Sequence, residues 1–497
     1  MRDEPRRFEL SLLRARVLLR LDRADKAIEA LRSCAYTPTS IDGLLTGEML
    51  LGTAYVRLGQ HERGEALLSN AFSRRDGSHA TIRAELTLNL GIARYFMGHP
   101  DEAEALLADV PEDADIIHAR ALEYRGWIAF SRGRFDIAAS WFRKALTRIE
   151  RCRWHDRFVE ANVLQGLATL NAELVEIAEW DAAERRIAAF DWTADGIARP
   201  RFWVAIYSSI MRETLGDEGG ALDWARRAEQ QAPNAAYRAL ALCHTSSLFY
   251  GLREPHAHLE LAIRAKQLYE TIDTRDLGPD QQQLPVFVAE QLAAALRYDD
   301  AERLMTHYNE VIAPMATTVA GDDRYAALRH AIDAAIHEAR GDRNSAVRSY
   351  TQSLKLYVKT RYRRRAAGIA LRLAHLTGAR RYLRYATAAL REANPRFWMA
   401  VDLAGLRDEA LPPLTDNQRT ILTMVAQGKT YKEIASQLGR SWKTVNNSVE
   451  QLRSKFGAGS RAELVAEALR RGVVNVGDRS RTAQAISHPR QGVVATG

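Results

Sequence analysis

Glycine recurs in the first half of this 497-residue chain at a spacing that points to a repeated supersecondary unit. Gly52, Gly91, Gly126 and Gly166 stand 39, 35 and 40 residues apart. The first three are each followed seven residues on by a second glycine (Gly59, Gly98, Gly133), and five further by a small residue (Gly64, Ala103, Ala138). A glycine suits a turn and a small residue lets two helices approach closely, so the pattern predicts helical hairpins that bury a core by stacking on their neighbours. The unit around Gly126 is the clearest, with Trp127, Phe130, Phe142 and Ala145 as its apolar positions. Less regular units are traced at Leu21 to Leu31, Gly216-Asp217 with Ala221, Tyr298 with Ala301, and Gly341-Asp342 with Ala346. Together they imply roughly eight to ten hairpins between residues 8 and about 390.

These units resemble tetratricopeptide repeats. That resemblance implies a superhelix whose concave face holds a peptide, a protein partner or a neighbouring domain; the plainer alternative is an array that spaces or dimerises whatever follows it. Trp154, Trp180, Trp192, Trp203 and Trp224 are candidates to line a pocket, although aromatic residues in helical repeats more often pack between hairpins. Arg361-Tyr-Arg-Arg-Arg365, preceded by Lys355 and Lys359, is a basic run that reads as a solvated helix face or as a contact to flanking DNA.

The residues from Leu414 to Asn475 follow a different pattern. Thr415-Asp-Asn-Gln418, Thr430-Tyr-Lys-Glu433 and Ser460-Arg-Ala-Glu463 each place a hydroxyl three residues before Glu or Gln, the signature of a capping box at a helix start. Ser441 is a fourth N-cap, opening a run in which Val445, Val449, Leu452 and Phe456 recur at helical spacing. Four helices are expected, at 416–427, 431–438, 442–456 and 461–471, with the second and third joined at Gly439-Arg440 as a helix-turn-helix.

This segment resembles the LuxR-type helix-turn-helix domain of bacterial transcription regulators. The residues that carry the likeness are Leu414-Thr415, Ile421-Leu422, Val425-Ala426-x-Gly428, Lys432-Glu433-Ile434-Ala435, Leu438, Ser441-x-x-Thr444-Val445, Lys455-Phe456 and Arg461. Two departures stand out: Asn417-Gln418 where the family usually has Arg-Glu, and Asn446-Asn447-Ser448 where it often has Lys-x-His. The core positions are kept, so the departures bear on base preference rather than on fold.

The resemblance implies that the third of these helices enters the major groove, with Asn446 and Asn447 over base edges. An Asn amide pairs with adenine N6 and N7, and Glu450 is positioned to accept from cytosine N4. Lys432, Arg440, Lys443, Thr444, Arg453 and Lys455 are the phosphate-contact candidates, which fix register without carrying sequence information. In the family the last helix often forms a dimer contact, here Leu464, Val465, Ala468 and Leu469. Two recognition helices would then face half-sites about one turn of DNA apart. From Leu411 to the end the chain carries 13 Lys plus Arg against 6 Asp plus Glu, so +7 of its net charge of +8 lies there. A salt-dependent attraction to double-stranded DNA follows.

The expected architecture is therefore all-α: a tetratricopeptide-like α-solenoid over residues 1–405, a four-helix LuxR-type domain over 411–476 and a disordered tail over 477–497, with Pro412-Pro413 as a short stiff linker. A composition of 46% hydrophobic and 27% charged residues is that of a globular protein. No apolar run is long enough to span a membrane, and Met1-Arg-Asp-Glu-Pro-Arg-Arg7 lacks the apolar stretch of a signal peptide, so a cytoplasmic protein is expected. Cys34, Cys152 and Cys243 are far apart, which suggests neither a disulfide framework nor a zinc site. Gly428-Lys429-Thr430 imitates the end of a phosphate-binding loop, but Thr423 stands where the first glycine belongs. His337-Glu338 lacks a second His. No enzyme, cofactor or metal is expected. The expected function is sequence-specific transcription regulation by a DNA-bound homodimer whose repeats receive a protein or small-molecule effector. The alternative is a repeat scaffold whose helix-turn-helix no longer binds DNA.

Overall fold

The computed structural model describes residues 4–33, 40–152, 156–193, 196–277, 281–314, 323–409, 414–456, 458–470 and 473–474. The protein divides into two compact units, Met1–Val401 and Asp402–Gly497. Every regular element among the described residues is helical.

The first unit contains ten consecutive helical hairpins among its described residues, from Glu4–Arg20 with Ala24–Arg32 to Arg363–Thr377 with Arg380–Ala389. Each of the ten turns holds one residue in the left-handed region, at Asp22, Gly59, Gly98, Gly133, Val175, Gly216, Arg253, Leu296, Gly341 and Gly378, with φ between +57° and +82°. In nine of them the amide of the following residue reaches back five positions to a helix carbonyl at 2.8–3.0 Å, as His99 N–H does to Arg94 O and Glu254 N–H to Phe249 O. This is the Schellman closure of a helix end, and it satisfies carbonyls that would otherwise be orphaned. Its geometry is the same whether the left-handed residue is glycine or not.

Five residues after each turn residue, the residue is buried at all ten positions. Gly64, Ala27, Ala103, Ala138, Ala221, Ala301 and Ala346 occupy seven of them, and Trp180, His258 and Leu383 the other three. Close approach is also made by the glycines of the first helices. A Cβ on Gly126 or on Gly166 would lie 2.6 Å from the Phe142 ring, so two successive hairpins leave the slot that this ring fills. Of the tryptophans singled out above, Trp180 is fully buried, while Trp192, Trp203 and Trp224 pack against the same apolar core. Trp154 lies outside the described residues.

The basic run is engaged within the array by ion pairs, although Lys355, Lys359 and Arg361 stay exposed. Arg361 pairs with Asp136 at 3.3 Å, Arg363 with Glu176 at 2.8 Å, Arg364 with Glu213 and Arg365 with Glu290. The four carboxylates come from the fourth, fifth, sixth and eighth hairpins, so one short segment ties the last hairpins across the middle of the array. Tyr362 packs between Phe130 and Phe135 with ring centroids 5.7 and 5.6 Å away. Farther on, Asn394 N–H donates to Thr214 O at 3.0 Å and the Trp398 indole N–H to Glu213 Oε1 at 3.0 Å.

Cys243 is buried and Cys152 partly so; Cys34 lies outside the described residues. No described helix is long and apolar enough to cross a membrane.

The second unit has the helices Asp416–Ala426, Tyr431–Leu438, Trp442–Phe456 and Arg461–Arg470. They close on Ile421, Leu422, Val425, Ile434, Val445, Val449, Leu452 and Leu464, all buried. Gly428 and Gly439 hold the two tight turns at φ +84° and +61°. The turn at Gly428 accounts for Gly428-Lys429-Thr430 as the joint between two helices. Pro412, Pro413 and the tail after Val476 lie outside the described residues.

Candidate nucleic-acid interface

All three capping boxes form. Thr415 Oγ1 accepts from Gln418 N–H at 3.2 Å while the Gln418 side chain accepts from Thr415 N–H at 3.3 Å. Thr430 and Glu433 pair the same way, as do Ser460 and Glu463. The Glu433 carboxyl lies below its ordinary range because it accepts the backbone N–H and the hydroxyl of Thr430. At Ser441, the hydroxyl accepts Thr444 N–H at 3.1 Å and fixes the start of the third helix.

That start sets the rotation of the third helix. Val445, Val449, Leu452 and Phe456 go into the core, which leaves Lys443, Thr444, Asn447 and Glu450 exposed on the opposite side and Asn446 half-buried on its flank. Lys432 and Arg440 are exposed on the preceding helix and turn. Four of the residues expected at the interface are already engaged within the unit, Thr444 through a hydrogen bond between its hydroxyl and that of Ser441 at 2.8 Å. Arg453 pairs with Glu450 at 2.7 Å and also donates to Gly459 O. Lys455 Nζ donates to Gln418 Oε1 at 2.8 Å. Of the residues expected at a dimer contact, Leu464 and Ala468 are buried in the unit's own core and Val465 is half-buried; the side chain of Leu469 lies outside what the structure describes.

Two residues matter here in ways the sequence reading does not reach. Gln418, where the family usually has Glu, is buried and joins the first helix to the third through Lys455 and through Gln451 at 3.4 Å. Arg461 crosses to the first turn, donating to Lys429 O at 2.7 Å and Val425 O at 3.4 Å, with its guanidinium 5.3 Å from the centre of the Tyr431 ring. It satisfies carbonyls at the end of the first helix and fastens the fourth helix to it. The sequence marks Gln418 as a capping residue and Arg461 as part of the family likeness, but it announces neither of these cross-helix contacts.

Comparison with known proteins bears on the second unit most directly. The family model for bacterial regulatory proteins of the luxR family matches residues 412–468. The chain is 41% identical over 64 residues to the spore germination protein GerE of Bacillus subtilis (strain 168), covering 13% of this chain and 86% of that protein. It is 39% identical over 59 residues to the methanol utilization control regulatory protein MoxX of Paracoccus denitrificans, covering 12% of this chain but only 26% of that protein. Among solved structures, a Rap protein complexed with competence and sporulation factor aligns over 73% of this chain and 99% of its own, at 14% identity and a TM-score of 0.47. Yeast Tom70 aligns over 94% of this chain and 99% of its own, at 13% identity and a TM-score of 0.32. At those scores neither likeness carries an argument, and the description of the array rests on its own turns and packing.

Proposed function

The chain belongs to the LuxR family of bacterial regulatory proteins and is a DNA-binding transcription regulator, and from that premise we propose that it reads a two-fold-related promoter site as a homodimer. Residues 411–476 act as the reader and residues 1–405 receive a protein or small-molecule effector. Regulation then needs no catalytic step by this chain, and it takes place in the cytoplasm, where bacterial DNA is.

The observation that carries this reading is the third helix. One face is committed to the core, and the opposite face presents Asn447 beside exposed Lys443 and Thr444, with Arg440 and Lys432 exposed just before it. Asn446 and Asn447 are the base readers, and those cations and the Thr444 hydroxyl hold phosphates. Glu450 reads cytosine only by yielding its pair with Arg453, and Lys455 reaches a phosphate only by leaving Gln418, so both rank behind the two asparagines. For the dimer contact, the buried Leu464 and Ala468 act as support, and the strip offered to a second copy runs through Val465 and the exposed Ala462 and Ala466.

Replacing Asn446 and Asn447 with Ala is expected to reduce discrimination between the preferred duplex and a scrambled one at least tenfold, since a good bidentate pair is worth about 1–3 kcal/mol, while non-specific binding stays within about twofold. Unchanged preference would remove both residues as readers. A chain that binds no duplex at all would favour the scaffold alternative, for which the substitution of Lys and His by Asn446 and Ser448 is the motive.

A further inference from the structure

Trp442 is the first residue of the third helix of the second unit. Among the described residues of that unit it is the one large apolar side chain left exposed, at 51%. The other large apolar residues of the helix, Val445, Val449, Leu452 and Phe456, are buried. The indole makes no hydrogen bond, ring contact or cation contact with any described residue. Its neighbours are the exposed Arg440, Ser441 and Lys443. Nothing in local helix chemistry asks for tryptophan here, since the first turn of a helix favours small, acidic or proline residues. A side chain that breaks the local preference with no gain in packing is the kind of residue retained for contact with something else.

The position says what that something is. The opening residues of the second helix of a helix-turn-helix are those that meet base edges in the major groove. Trp442 and Asn446 are one helical turn apart, on the same side of the helix. Cations for the phosphates are already supplied by Lys432, Arg440 and Lys443, so an indole adds little to backbone binding. What it adds is a wide apolar face. The only apolar feature that base edges offer in the major groove is the C5 methyl of thymine. We propose that Trp442 is a specificity residue that packs its indole on a thymine methyl group next to the bases read by Asn446 and Asn447. The inference rests on the reading of the third helix as the recognition helix.

The test uses the full chain and the duplex it selects from a randomised pool. Each thymine is replaced in turn by deoxyuridine, which removes the methyl group and nothing else. Binding is measured for the native chain, Trp442→Ala and Trp442→Phe, with a scrambled duplex as the non-specific reference. At one thymine per half-site the native chain is expected to lose about fourfold in affinity, the factor corresponding to burial of one methyl group. Trp442→Ala is expected to bind the thymine duplex more weakly by at least that factor and to ignore the uracil change, while Trp442→Phe keeps the sensitivity. A native chain indifferent to every uracil would overturn the proposal. So would a Trp442→Ala variant that weakens selected and scrambled duplexes equally, because that would make the indole a backbone or folding contact. If the native chain selects no sequence, the recognition-helix reading itself falls and this inference with it, a result distinguishable from the other two.

Discussion

Glu123 shows how a single buried group in the array sets a pH dependence that the sequence does not announce. It is 3% exposed and its Oε2 has no hydrogen-bond partner. Burial pushes its carboxyl up to about 7, against a partial pull downward from Arg120. The unfolded chain releases this proton near the ordinary value of 4.5 and the folded chain only near 7. The folded state therefore binds the extra proton between those values, and stability is full below 4.5 and falls as pH rises through 7. Glu123→Gln is expected to remove that slope and to stabilise the protein at pH 8 by up to about 3 kcal/mol. Denaturant unfolding at pH 5 and pH 8 checks it; an equal loss for the native chain and the variant across that range would exclude Glu123 as the cause. At the interface the same scale was partly legible. The hydroxyl-to-acid spacings located the capping boxes, but not the placement of Gln418 under Lys455 or the span of Arg461 to Lys429 O, because both depend on partners more than 30 residues away.

Among the elements, the hairpin turn is the unit that repeats. Where the left-handed residue is glycine, as at Gly59, Gly98 and Gly133, the sequence displays it. The hairpin of Ala235–Gly251 and Pro255–Tyr269 left no mark, since its turn residue is Arg253 and its packing residue is His258, which binds Ser246 Oγ at 2.8 Å instead of leaving a small gap. The fold kept the geometry while both sequence signals were lost. That exchange carries a measurable strain. Leu296 sits at φ +61° and is 72% exposed, so its side chain contributes little burial. Left-handed geometry costs a non-glycine residue roughly 1–2 kcal/mol, partly offset by the extra freedom glycine gives the unfolded chain. Leu296→Gly is expected to stabilise the array by up to about 1 kcal/mol. At Val175, which is also left-handed but only 3% exposed, the same change gives up a buried side chain and is expected to be neutral or destabilising. Equal effects at the two sites, measured by thermal unfolding, would contradict the account of the turns.

At the scale of the whole molecule, the array is fastened across its own middle rather than stacked from end to end alone. Its partners lie 225, 187, 151 and 75 residues before Arg361, Arg363, Arg364 and Arg365, which is why the run reads as surface charge in the sequence. Glu213 is the most enclosed of the four carboxylates, and burial holds its carboxyl above the ordinary range in spite of Arg364. Arg364→Ala leaves it unpaired and is expected to cost roughly 3 kcal/mol, of which Arg364→Ala with Glu213→Gln recovers a part. If the single variant unfolds like the native chain, the cross-tie contributes nothing.

The central claim is that the second unit reads DNA sequence as a pair of related half-sites. Selection by the full chain from a randomised duplex pool, with affinity for the enriched and scrambled duplexes measured at two salt concentrations, tests it most directly. The account predicts an enriched motif of two related halves and an affinity that falls steeply with salt, as expected when several phosphates are neutralised. Binding that is equal on all sequences, or unaffected by salt, would contradict it.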